Sequence, residues 1–182
     1  MKYMQYGGMQ NHPLMRLTLY FTLFFLFGFW VTNFAMYFAK MSLNPQSVIE
    51  YYLGSEAEFR LPRTYQSMLE VTHAHLPMMA LVMLVLTHLL IFTSFQHRTK
   101  IVFIALAFLS AFLHEAAGWL VRFVNPLFAW MKVATFIIMQ GTLAFIMATL
   151  VLFFIQGKAE KGKLNKHSDG ENKTKQLWEG IE

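Results

Sequence analysis

The chain has no cysteine. Thiolate-ligated zinc and iron–sulfur centres are therefore excluded, and so is a disulfide-stapled secreted module. Charge is scarce too: 14% of the 182 residues are charged, against about 25% in an ordinary soluble domain. No phosphate-binding glycine loop, nucleophile elbow or internal repeat is found. What fills the chain instead is apolar: 56% of residues are hydrophobic, with 19 Phe and 13 Met. These residues lie in long runs, and the charge falls in the gaps and near the C-terminus. That distribution excludes a soluble globular domain, a disordered chain and a coiled coil. The net charge is +5, but the basic residues flank apolar runs and form no stripe interleaved with aromatics. They read as topology signals, and no nucleic-acid partner is expected.

The four runs are Leu14–Ala39, Met68–Thr93, Ile101–Val124 and Leu127–Ile155. Each exceeds the ~20 residues a helix needs to cross a bilayer. Helices are the form expected, because open strands leave their backbone unsatisfied in lipid. The first run is longer than the ~7–15 apolar residues of a cleavable signal and ends in Met36-Tyr37-Phe38-Ala39-Lys40. The expected fold is an all-α, four-helix transmembrane bundle in contact with the lipid bilayer.

Lys2, Arg16, Arg98, Lys100 and the lysines from Lys158 to Lys175 fall on one side of such a bundle. Lys40, Arg60, Arg63, Arg122 and Lys132 fall on the other, balanced by Glu50, Glu56 and Glu58. The positive-inside rule then puts both termini in the cytoplasm, and the expected location is a bacterial inner membrane. Residues 1–13 read as a cytoplasmic N-terminus, 14–156 as the membrane domain and 157–182 as a cytoplasmic polar tail. Lys, Glu, Gly, Asn and Ser dominate that tail, and it is expected to be disordered. Within the outer loop 40–66, Asn44-Pro45 and Gly54 bracket a short helix by the usual start and stop residues. Its Val48, Tyr51 and Tyr52 predict that it lies on the membrane surface.

Chemistry concentrates in the second and third runs. His73, His75, His88 and His114 lie in or at the spans, where ionisable groups are costly and usually functional. On an ideal helix His73 and His88 share a face with Glu70, Pro77, Ala80, Leu84 and Thr87, and this mixed face is expected to point inward. His75 points nearly the opposite way. His73 and His88 are ~22 Å apart along the axis, so each needs its own partner. His114 is the expected partner for the outer pair: face direction favours His73, whereas depth favours His75. His12 is the candidate partner for His88, with His97 weaker. Around His114 the face carries Ala107, Ser110, Ala111, Ala117 and Gly118. Small residues there leave room for a flat ring or for close helix contact. Paired imidazoles on facing helices suit haem iron. Arg122 is the candidate propionate contact.

With His73/His75, His88 and His114 in adjacent helices, the chain resembles small four-helix transmembrane b-type cytochromes. The resemblance covers residues 14–155 and is one of pattern. It implies one haem b, or two, and electron transfer between the quinone pool and a partner redox protein. It also implies that the chain is the quinone-reactive subunit if it serves an oxidoreductase. Glu70 is then the candidate proton acceptor at a quinone site. The third run supplies a single His, which departs from the two-haem pattern. Two further readings use the same residues. One is a non-haem copper, zinc or iron site drawing on Glu70, His73, His75, His114 and Glu115. The other is a structural subunit of a respiratory complex, and a chain this short also fits a homo-oligomer. Ser67-x-x-Glu70 reads equally as a capping box opening the second helix.

Overall fold

A computed structural model describes the backbone of residues 13–179 and the side chains of residues 13–155. The elements are α1 (Pro13–Phe38), α2 (Pro45–Leu53), α3 (Tyr65–Leu90), α4 (His97–Phe123) and α5 (Phe128–Glu179). Helices α1, α3, α4 and the Phe128–Ile155 part of α5 are each long and apolar enough to span a membrane. Among the described residues there is no strand, only an isolated bridge between Ser55 and Arg60. The all-α transmembrane architecture read from the sequence is the one observed.

The outward faces account for the excess of apolar residues. Phe24 and Phe25 are 70% and 73% exposed, and α3 and α4 present Leu81 and Leu109 in the same way. Apolar surface on this scale is untenable in water and is what a lipid-facing helix requires.

The chain divides into two compact units. The larger, Phe24–Thr149, holds α2, α3, α4 and the adjoining parts of α1 and α5. Phe136 and Leu86 are fully buried in it, Tyr37 stacks on Phe136 at 3.7 Å, and Phe103 stacks on Phe145 at 4.1 Å. The Trp30 indole donates to the Gln140 carbonyl at 3.2 Å. In the smaller unit, built from the remainder of α1 and α5, Tyr20 meets Phe154 edge-on at 6.1 Å.

Helix α2 forms where its caps predict. The Asn44 side chain accepts from the Gln46 amide at 3.0 Å, Pro45 opens the first turn, and Gly54 closes the helix. Gly54 has φ +90°, and a Cβ there would stand 2.6 Å from the Arg60 carbonyl oxygen. Only glycine suits that turn. Val48 and Tyr52, two of the three residues read as marking a surface helix, are buried. The Tyr52 ring lies so close to Gly118 of α4 that a Cβ there would be 2.6 Å from its hydroxyl.

Helix α3 starts earlier than expected. Thr64 is its N-cap and accepts from the Ser67 amide at 3.2 Å, so Ser67 and Glu70 are not its capping box. Pro77 sits inside α3 without ending it. The α5 backbone stays helical through Glu179, where the sequence reading expects a disordered tail. Lys, Ala and Glu are good helix formers, and an existing helix extends without a new nucleation cost.

Candidate functional site

All five helices of the larger unit contribute to a cavity of about 240 Å³, just below the usual range for small-molecule sites. Two histidines line it, His75 from α3 and His114 from α4. The His114 ring lies 5.7 Å from Phe136 and 6.3 Å from Tyr37. Its Nδ1 is buried without a hydrogen-bond partner. A buried polar atom in that condition is uncommon and calls for an explanation.

Polar side chains bridge α3 to α4 beside these rings. The Trp119 indole donates to the Thr72 hydroxyl at 2.9 Å. That hydroxyl donates to Glu115 Oε1 at 2.6 Å, and Glu115 Oε2 lies 3.4 Å from His75 Nδ1. The carboxylate is thus fixed from one side and orients an imidazole on the other. The His75 side chain is 54% exposed, so the cavity opens along this edge.

Beyond the rings the lining turns basic and phenolic: Lys40, Tyr51, Tyr52, Arg63 and Lys132. The Arg63 guanidinium donates to the Ser67 hydroxyl at 3.2 Å and to the Tyr51 hydroxyl. It also lies 4.6 Å from the centre of the Tyr51 ring. Burial pushes the Tyr52 hydroxyl well above the usual phenol range. Methionine is prominent along the apolar walls, where its flexible chain fills irregular space.

The structure brings together some of the expected residues and separates others. His75 and His114 share the cavity. His73 is exposed and outside it, as are Glu70, Pro77, Ala80 and Leu84. The face of α3 expected to point inward therefore points outward except at Thr87, which is buried. The face turned inward instead carries the buried Met68, Val82, Met83, Leu86 and Leu90, with Thr72 and His75 reaching Glu115 beside it. Glu70 accepts from Gln66 at 3.0 Å at the head of the helix. His88 is exposed and packs edge-on to Phe92 at 5.4 Å. His97 is an exposed first residue of α4, and His12 lies outside the described residues. Arg122 does not line the cavity: its Nε donates to the Arg63 carbonyl at 2.7 Å and its guanidinium lies over Phe123. Among the described residues, no three His, Asp or Glu side chains gather as a metal-binding group.

The small residues expected around His114 are buried, but the Tyr52 ring takes up the space at Gly118. Lys132 carries a role that charge counting hid. The sequence reading counts it among the charges of the outer side, yet it lies inside α5, 4% exposed. Its position five residues into an apolar run was the available signal, since a charge at such a place is functional by default.

No curated protein and no solved structure matches the chain. A family model described as a transmembrane helical domain matches residues 42–161, which include α2, α3, α4 and the apolar part of α5. The chain is thus an integral membrane protein and belongs to the Aq_1264_TM family of transmembrane helical domains.

Proposed function

We propose that the protein is a membrane-embedded electron-transfer protein that binds haem b at this cavity, where His75 and His114 would hold it. The observation that carries this reading is the shared cavity of these two imidazoles, one with an unpartnered Nδ1. The Glu115 contact supports it further. Histidines that bind metal usually give their other ring N–H to a carboxylate or carbonyl, which fixes the tautomer. With Nδ1 turned to Glu115, His75 keeps Nε2 for iron. The donor set fits haem, because two neutral imidazoles from facing helices satisfy a bis-His iron. The cavity is smaller than the whole macrocycle, so part of the ring would have to lie outside it, past the half-exposed His75.

Bound haem supplies one-electron exchange. The remaining work falls to the chain. Phe136 and Tyr37 pack against the His114 side and exclude water from it, and the Trp119–Thr72–Glu115 chain holds the His75 ring in place. The quinone pool and a partner redox protein are the proposed exchange partners, with Glu70 the acceptor at a quinone-facing edge and a bacterial inner membrane the proposed location. A non-haem ion is less well supported, since His75, His114 and Glu115 do not gather as a ligand trio.

The test is a reduced-minus-oxidised absorbance spectrum of the purified protein and its variants. His114→Ala and His75→Ala are expected to lose the haem signal, and His73→Ala to keep it. Full haem retention in His114→Ala would refute this reading.

A further inference from the structure

Lys132 sits in the second turn of α5 and is 4% exposed. Its ammonium donates to the His114 carbonyl oxygen at 2.8 Å and lies 5.9 Å from the centre of the Tyr52 ring. An ammonium has three donors, and this one spends a single donor on a neutral acceptor. Among the described residues the ion pairs are Arg60 with Glu58 and His75 with Glu115. Among these residues Lys132 therefore has no carboxylate within ion-pair distance, and Glu115 acts on it only from farther off. Lys40 and Arg63 line the same cavity, and Arg63 gives its hydrogen bonds to neutral hydroxyls. Glu115 is the one acidic residue in the lining, and its oxygens already serve Thr72 and His75. Three cations thus border a low-dielectric cavity that offers one occupied anion. A buried charge without a direct ion pair is expensive, and Lys132 has donors left for a partner.

We propose that the cavity binds a carboxylate-headed apolar molecule, with the carboxylate on the Lys132 ammonium and the apolar body along Met79, Met139, Phe136 and Leu143. Lys40 and Arg63 reinforce the positive field that draws the head in. A carboxylate matches the site by charge and shape. It is a flat monoanion whose two oxygens take the two spare donors, and it leaves most of the cavity to the apolar body. The same group has two sources, a fatty-acid-like amphiphile from the bilayer and the propionate arms of haem. The inference rests on the charges of the cavity alone and stands without the haem reading.

The test uses the full-length protein in nanodiscs of zwitterionic lipid, titrated with a fluorescent fatty acid and with its methyl ester. The acid is expected to bind at least tenfold more tightly than the ester. That preference is expected to vanish in Lys132→Gln and to survive in Lys132→Arg. Equal affinity for acid and ester in the unmodified protein overturns the proposal, whether or not the variants fold. A preference that persists in Lys132→Gln overturns the assignment to Lys132. A parallel arm compares retention of haem with retention of haem dimethyl ester. In Lys132→Gln, weaker retention of haem but not of the diester identifies propionate as a source, and loss of the acid preference that the haem-free unmodified protein shows identifies the bilayer. His114→Ala separates the two readings: it removes an axial ligand but leaves the backbone carbonyl that holds Lys132, so the acid preference should persist.

Discussion

Glu115 of α4 reaches His75 of α3 at 3.4 Å while its other oxygen accepts from Thr72 at 2.6 Å. This carboxylate holds the orientation of the imidazole on the cavity edge. Its removal tests the haem reading more gently than loss of a ligand. Loss of such an outer partner typically costs ~10–100-fold in metal affinity. Glu115→Gln is therefore expected to weaken haem retention by about that factor while leaving the helices inserted. Haem titration of the purified variant measures it, and wild-type affinity would remove Glu115 from the site.

The close contact of Tyr52 with Gly118 gives a stability prediction independent of any cofactor. Gly118→Ala places a methyl 2.6 Å from the Tyr52 hydroxyl and 2.9 Å from the ring. Overpacking of this kind costs typically ~1–3 kcal/mol. Thermal unfolding in detergent should show that loss, and adding Tyr52→Phe should recover part of it, because the nearest atom is then gone. Simple additivity of the two changes would count against the contact.

His88 tests the number of haems. It is exposed, packed on Phe92 and ~20 Å along α3 from His75. His88→Ala is expected to keep the full haem content per chain, measured as a haem-to-protein ratio. A fall by about half would instead establish a second site, with His12 as the partner to examine.

Reporter fusions at residues 60 and 170 check the proposed orientation. With both termini in the cytoplasm, the two fusions should report opposite sides. The same side for both would refute the four-span topology.

The membrane spans were legible in the sequence because run length alone fixes them. The α2 helix was legible because Asn44, Pro45 and Gly54 are local signals, each acting on its own backbone. The facing of α3 was not. His73 and His75 lie on nearly opposite sides of one helix, and the one that lines the cavity stands beside the contact of Thr72 with Glu115, 43 residues apart in the chain. Nothing local encodes that pairing. Lys132 was visible but was counted only as an outer-side charge, because the apolar run around it was read for length rather than for its exception. Arg122 was read by its type, whereas its partner is a backbone carbonyl that no side-chain pattern announces.

The half-exposed His75 edge has a consequence for how any ligand is measured. That edge lies ~15 Å along the axis from the start of α3 at Tyr65, within the thickness of the bilayer. A ligand using it arrives from the lipid phase, so the quantity that governs occupancy is its mole fraction in lipid or detergent. Apparent dissociation constants expressed in molar units should drift with the amount of detergent. Plotted against mole fraction, the same data should fall on a single curve.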